Sequence, residues 1–305
     1  MNKVIKLSAA VIGGDSRQIA VAEGLADLFE EVRLFGHPKA RAAEAIRYCG
    51  RPEEAIEGAG VVVLPITGLD EIGRIRSYQS QPAIEFGPFL ERLASGTLLA
   101  AGSLAARWRE SAATLGIRVL EYVDDDEIAI LNSIPTAEGA VQIAMEQLPV
   151  TVHGSTILVV GLGRVGVTVA RTFKALGARV IVAARKPARL ARAMEMGCEI
   201  VADEALGTII GRADVIVNSV PALVLTKELL ELAASGVVII DLASAPGGVD
   251  FEAASRLNLN AKLYPGLPGI VAPETAGAIL ASAIPRLIWK NLEQTEVACD
   301  AVCWN

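Results

Sequence analysis

The chain has 305 residues, of which 52% are hydrophobic and 4% aromatic, with a formal net charge of −7 and a mean hydropathy of +0.44. The acidic balance and the scarcity of aromatics argue against a nucleic-acid groove, and the longest uncharged stretches, such as residues 147–163, are broken by Pro149, His153 and glycines, so none reads as a membrane-spanning helix. The length suits two domains, and the apolar excess suits parallel strands buried on both faces.

Residues 1–10 carry two lysines and run straight into a strand, without the long apolar core and small-residue cleavage site of a leader, which gives the expectation of a cytoplasmic chain. The strand at 4–12 ends on Gly13-Gly14-Asp15-Ser16-Arg17-Gln18. This looks like a strand-to-helix phosphate turn, but the third glycine is missing and Asp15 brings a negative charge to the place of a phosphate. The first domain is therefore expected to be Rossmann-like without the cofactor.

Further strands at 31–35, 60–64, 97–101 and 117–121 alternate with helical patterns at 19–29 and 104–115, an order that means a parallel, doubly wound sheet. Ligands of such sheets bind beyond the carboxyl ends of the strands, which points to Asp15, Ser16 and Arg17, to Thr67 and to Ser103. Arg17 reads as a carboxylate clamp or as a surface arginine on a first helical turn. Thr67 and Ser103 read as ligand contacts or as helix N-caps.

Residues 122–135, YVDDDEIAILNSIP, connect the domains. The acidic run 124–127 reads as a solvated helix start, because consecutive carboxylates point in different directions and no histidine accompanies them. A connecting helix is expected at 140–148, ended by Pro149. Cys49, Cys198, Cys299 and Cys303 lack C-x-x-C spacing and have only His37 and His153 to join them, so no metal site is expected and the thiols read as reduced.

The second domain opens on residues 156–185, TILVVGLGRVGVTVARTFKALGARVIVAAR. An apolar strand, a G-x-G-x-x-G turn at Gly161, Gly163 and Gly166, an amphipathic helix and a second strand make a βαβ unit. The first glycine turns the chain, the second lets backbone amides approach a pyrophosphate, and the third lets the helix lie close on the strand. Where an NAD site places an acidic residue on the ribose, this chain has Arg185 and Lys186, with Arg189 a turn further on; this favours the 2′-phosphate of NADP, with NAD as the alternative cofactor and a solvated basic loop as the non-binding reading.

Strands are expected at 199–201, 215–218, 237–241 and 261–264, and helices at 188–196, 204–212 and 227–233. Two loops at strand ends, 218–221 and 241–248, lie where a nicotinamide is expected. The cofactor set is thus Gly161, Gly163, Arg164, Val165, Gly166, Arg185, Lys186, Ser219, Val220, Pro221, Ala243 and Ser244. Residues 265–273 hold so many Pro and Gly positions that they read as a shaped loop rather than a core element, and a long helix follows at 274–292. Pro268 and Thr275 join Asp15, Ser16, Arg17 and Thr67 as substrate candidates. The architecture is two Rossmann-like, doubly wound parallel-sheet domains, 1–135 on the substrate side and 136–289 for NAD(P). Two crossing helices join them around a cleft, and 290–305 pack back on the first domain.

The segments IGGDSRQ, DDDEIAILNSIPTAEGAVQIAME, GLGRVG and LPGIVAPETAGAIL together resemble the A subunit family of dipicolinate synthase from spore-forming bacteria, across nearly the whole chain. The resemblance implies an NAD(P)-dependent step that makes dipicolinate from a cyclic lysine-pathway intermediate in the mother cell during sporulation, and a partner in the form of a flavoprotein-like B subunit. The residues agree in one respect. A 2-hydroxy acid dehydrogenase of this plan would need a late histidine as proton carrier, and none follows His153. Oxidation of a dihydropyridine dicarboxylate forms an aromatic ring and asks mainly for orientation and a grip on two carboxylates. Another NADP-dependent dehydrogenase of the amino-acid or shikimate type, or a non-catalytic nucleotide-sensing subunit, stays open at this level, as do the acid/base residue and a homo-oligomeric state.

Overall fold

The computed structural model describes residues 5–38, 46–77 and 82–302, with side chains described as far as residue 294. The chain divides into two compact units, residues 1–128 with 273–305, and residues 129–272. Relative to the expected boundaries, the long C-terminal helix belongs to the first unit from its first residue, and the linker helix passes to the second unit seven residues before 136.

The first unit contains β1 (Ile5–Ile12), α1 (Arg17–Ala26), β2 (Phe29–Phe35), β3 (Ile46–Cys49), α2 (Pro52–Ile56), β4 (Val61–Val63), a small antiparallel pair β5 (Arg74–Ile75) and β6 (Ile84–Glu85), β7 (Leu98–Ala101), α3 (Ala106–Thr114) and β8 (Arg118–Glu121). Its six-stranded parallel sheet has the order β3-β2-β1-β4-β7-β8. The central strands are apolar on both faces, since Val61, Val62 and Val63 are all fully buried, as a sheet covered on both sides requires.

The connecting helix α4 (Asp126–Gln147) is longer than expected and runs through Pro135 without a break. Proline removes one backbone donor there, and two nearby hydroxyls supply donors of their own: Ser133 Oγ gives to Ile130 O at 2.6 Å and Thr136 Oγ1 to Asn132 O at 2.7 Å. The second unit continues with β9 (Thr156–Val160), α5 (Arg164–Ala175), β10 (Arg179–Ala184), α6 (Pro187–Glu195), β11 (Glu199–Ala202), β12 (Val215–Asn218), α7 (Lys227–Leu230), β13 (Val238–Asp241), α8 (Phe251–Arg256), β14 (Asn260–Leu263) and α9 (Leu267–Val271). Its sheet order is β11-β10-β9-β12-β13-β14, again all parallel. Counted along each sheet, both units therefore have the strand order 3-2-1-4-5-6, the doubly wound arrangement whose order reverses between the first and fourth strands.

Two expectations need correction. Residues 204–212 are not one helix but two 3-10 pieces, Asp203–Thr208 and Ile210–Arg212, because Gly207 and Gly211 interrupt the pattern. Residues 265–273 do contain a core element: α9 starts after Gly266 in the left-handed conformation (φ 73°), and Leu267, only 3% exposed, joins the core of the second unit.

The last helix, α10 (Pro273–Val302), packs on α1. Its Leu280, Ala283, Ile284 and Ile288 are buried with Val21, Ala22 and Leu25, and each large aliphatic contributes about 1.5–3 kcal/mol. A Cβ at Gly24 would sit 2.5 Å from Ala281 O, so the helices approach backbone to backbone. No helix among the described residues is long and apolar enough to cross a membrane, and no group of three or more potential metal ligands occurs among them. Cys49 is half-buried and Cys198 buried, both as free thiols. Cys303 lies outside the described residues, and the side chain of Cys299 is not described.

Candidate functional site

In the second unit, the turn between β9 and α5 is shaped by what surrounds each glycine. Gly161 adopts φ +87°, and a Cβ there would meet Val220 Cγ2 at 2.6 Å and Ser219 Oγ at 2.9 Å. Gly166 faces the Gly161 carbonyl so closely that any side chain collides with it. Gly163 is the contrast, because a Cβ there would meet nothing within 4 Å. The space over Gly163 is open, and it lies at the N-terminus of a twelve-residue helix whose first amides lack intrahelical partners. That cradle fits a pyrophosphate. Arg164 beside it is exposed and Val165 half-buried.

The exits of β12 and β13 are held by a buried pair. Asn218 and Asp241 are both fully buried, and Asn218 Nδ2 donates to Asp241 Oδ1 at 2.9 Å. Asp241 also accepts from Ala243 N (3.0 Å) and Gly248 N (2.7 Å), while Asn218 Oδ1 accepts from Val220 N at 3.1 Å. One carboxylate and one carboxamide thus fix the backbone of both loops that carry Ser219, Val220, Pro221, Ala243 and Ser244. Ser219 Oγ turns back to Val160 O and Gly161 O, tying the first loop to the glycine turn. The sequence marked these loops but not the Asn218–Asp241 pair, whose only signal is a polar residue ending each apolar strand.

At the end of β10, Arg185, Lys186 and Arg189 are exposed, and their side chains make no hydrogen bond or ion pair among the described residues. Asp203, beyond β11, lies near enough to feel Arg185. Burial and the neighbouring Glu204 push its carboxyl above the ordinary value, and Arg185 pulls the other way.

In the first unit, the β1 exit carries Asp15, Ser16 and Arg17, and the β4 exit leads through Pro65 to an exposed Thr67. Arg17 is neither a surface residue nor a free clamp. It is 4% exposed, and its Nε and Nη2 donate to the two carboxylate oxygens of Asp15 at 2.8 and 2.6 Å. Burial pushes the Asp15 carboxyl up, but the hydrogen bonds and charge of Arg17, with the charge of Arg76, outweigh it and hold the group below its usual 3.8. Asp15 therefore stays ionised, and its partner edge of Arg17 is committed.

Three residues that sequence reasoning passed over gather here. Arg76 is exposed, its charge acts on Asp15, and its carbonyl accepts from Gly14 N at 2.6 Å. His37 Nε2 pairs with Gly13 O at 2.6 Å; burial pulls its pKa below 6.5 against the opposing effects of that bond and of Asp15, so it is neutral near pH 7. Gln18, next to Arg17, is 1% exposed. Of the later substrate candidates, Thr275 is exposed in the first turn of α10, two residues before Gly277, whose added Cβ would lie 3.5 Å from Arg17 Cα. Pro268 lies in α9 and so belongs to the second unit.

Comparisons with known proteins agree with this division. Residues 8–123 match the N-terminal domain of the dipicolinate synthase A subunit, and residues 135–248 match the NAD-binding domain of D-isomer specific 2-hydroxyacid dehydrogenases. Crystal structures of the dipicolinate synthase A subunit from Bacillus halodurans and of its counterpart from Bacillus subtilis superpose with TM-scores of 0.87 and 0.85, at 35% and 34% identity, covering 93% and 95% of this chain and 99% and 98% of theirs. The curated dipicolinate synthase A subunit of Bacillus subtilis strain 168 is 35% identical over 284 residues, spanning 92% of this chain and 96% of that protein. With likeness of that depth running through both units, the chain belongs to the A-subunit family of dipicolinate synthase and is an NAD(P)-dependent oxidoreductase.

Proposed function

We propose that the chain oxidises a dihydrodipicolinate-type cyclic intermediate of the lysine pathway to dipicolinate, using NADP, in the mother cell of a sporulating bacterium. The observation that carries the cofactor choice is the uncommitted cationic group Arg185, Lys186 and Arg189 where a ribose-binding carboxylate would otherwise stand. When bound, the dinucleotide supplies the hydride acceptor. The chain's own task is to bind and orient, since loss of a hydride and a proton makes the ring aromatic.

The dicarboxylate falls to the first unit. Asp15 is neutralised by Arg17, so the exposed Arg76 leaves this crevice with net positive charge, supporting a grip on one carboxylate, while the uncommitted Nη1 of Arg17 can serve the other. Assembly with a flavoprotein-like B subunit is proposed from the naming of the relatives as one component of a larger enzyme.

The test is turnover of dihydrodipicolinate by the purified chain with NADP and with NAD, read by nicotinamide absorbance and by dipicolinate formed. The expected result is a higher kcat/KM with NADP. Arg185→Asp is expected to weaken NADP by one charge-assisted contact, about 1.5–3 kcal/mol, and to spare NAD. Equal constants for both cofactors in the parent chain refute the cofactor choice, and no turnover with either refutes the substrate.

A further inference from the structure

Gln18 has a buried carboxamide that the fold of the first unit leaves unpaired among the described residues. It is 1% exposed, and neither its Nε2 nor its Oε1 has a hydrogen-bond partner among the described residues. Leaving both ends of a carboxamide buried and unpaired is costly, and native proteins rarely do so without a reason. Its position is as informative as its burial. A Cβ on Gly14 would meet Gln18 Cγ at 2.5 Å, Pro65 Cβ at 2.9 Å and Gln18 Cδ at 3.4 Å, so the carboxamide lies over the Gly14 turn, beside the exit of β4. That is the point between the first and fourth strands where the order of the sheet reverses, the place where open α/β sheets receive ligands. The turns flanking it expose Ser16 and Thr67, and Asp15, Arg17 and Arg76 supply the charges around it.

We propose that Gln18 is the specificity-determining residue that reads the ring nitrogen of the substrate, while the arginines read its carboxylates. The proposal rests on the reading of the substrate as a cyclic dicarboxylate. A ring nitrogen flanked by carboxylates is what charge cannot recognise, because a benzene dicarboxylate presents the same two anions. A carboxamide can. By half a turn about its last bond it presents Nε2–H to the lone pair of an imine or aromatic nitrogen, or Oε1 to the N–H of a reduced ring. One residue so placed serves substrate and product alike, and a site built around a buried hydrogen bond strongly rejects the analogue that lacks the partner.

The test uses two ligands of the same shape and charge, pyridine-2,6-dicarboxylate and benzene-1,3-dicarboxylate, titrated into the parent chain, Gln18→Met and Gln18→Glu, with thermal melts alongside. The parent is expected to bind the pyridine compound about tenfold or more tighter. Gln18→Met is expected to remove that ratio, to leave the benzene compound at parental affinity, and to melt no lower than the parent, since it replaces an unpaired buried amide by an apolar chain. Gln18→Glu is expected to weaken both ligands by adding an anion. A ratio unchanged in Gln18→Met, or a Met variant that melts well below the parent or fails to fold, overturns the role of Gln18 and leaves the proposed reaction standing. A parent chain that binds neither dicarboxylate overturns the substrate reading itself.

Discussion

Replacing Gly163 by valine should abolish dinucleotide binding without weakening the fold, whereas Gly166→Ala, a smaller change, should weaken the fold. Gly163 sits at φ −87°, ψ −163°, extended backbone that any residue adopts, and its added Cβ meets nothing within 4 Å. The unfolding free energy should therefore stay within about 0.5 kcal/mol of the parent. The valine methyls project into the space over the first amides of α5. A pyrophosphate displaced from them loses about two charge-assisted hydrogen bonds, about 3–6 kcal/mol, or on the order of 10²- to 10⁴-fold in Kd. At Gly166 an added methyl overlaps the Gly161 carbonyl oxygen and lies 3.0 Å from its carbon and 3.1 Å from Ser219 Oγ. Overpacking against backbone costs about 1–3 kcal/mol, a drop of several degrees in Tm. The assay is a melt of each apo variant with an NADPH and NADH titration by nicotinamide fluorescence. Parental affinity in Gly163→Val, or a fall in its Tm as large as that of Gly166→Ala, refutes the assignment of the open space to the pyrophosphate.

Arg17→Ala should lower kcat/KM for the dihydropyridine by on the order of 10²-fold with dinucleotide Kd nearly unchanged, and should also lower the melting temperature, because it strands the half-buried Asp15 carboxylate; parental kinetics would take Arg17 out of the substrate site. His37 sets a pH dependence in the same unit: its folded pKa lies below 6.5, so the unfolded chain takes up the proton first as pH falls from neutral. Its contribution is present above pH 6.5 and is lost as pH falls through the folded value. The parent Tm should thus fall more steeply than that of His37→Gln between about pH 7 and 5, and parallel curves would count against it.

The sheets were legible because their signal is local. Buried parallel strands such as 157–160 and 61–63 are continuous apolar runs, and the glycine spacing follows directly from how a backbone must approach a phosphate. Edge elements were not legible: β3 carries Arg47 and Tyr48 in a four-residue stretch, too short and too polar to stand out. Of the helix α4 only the acidic start at 124–127 and the apolar segment 140–148 were legible, because the stretch between them carries Pro135, and the hydroxyls of Ser133 and Thr136 that accompany it declare their role only once a helix exists. In the same way the sequence pointed to Arg17 as an anion clamp, since it could not tell that Asp15, two residues earlier, occupies the guanidinium. It passed over Gln18, His37 and Arg76 because their significance lies in burial and in neighbours far along the chain.

Both units have the same strand order and the same strand-to-helix turn after their first strand, so topology does not decide which of them holds the dinucleotide. The turns themselves do. After β9 the chain offers Gly163, with open space above it, at the start of a helix with no acidic residue in its first turn. After β1 the corresponding space is taken from within: Asp15 reaches forward to Arg17 and accepts its backbone N–H at 3.1 Å, and Gln18 folds over Gly14. A carboxylate that already accepts from the first amide of α1 performs there the task a phosphate would perform in the other unit, and its charge would repel one. What remains at that turn is a neutralised Asp15–Arg17 pair, an exposed cation in Arg76 and a carboxamide unpaired among the described residues, a set too small for a pyrophosphate but in keeping with the proposed small dianion. Removing the internal anion puts this to the test: Asp15→Asn should loosen Arg17 and tighten the binding of inorganic phosphate or sulfate to the first unit. If anion affinity there is unchanged, the carboxylate is not what keeps the first turn from acting as a phosphate site.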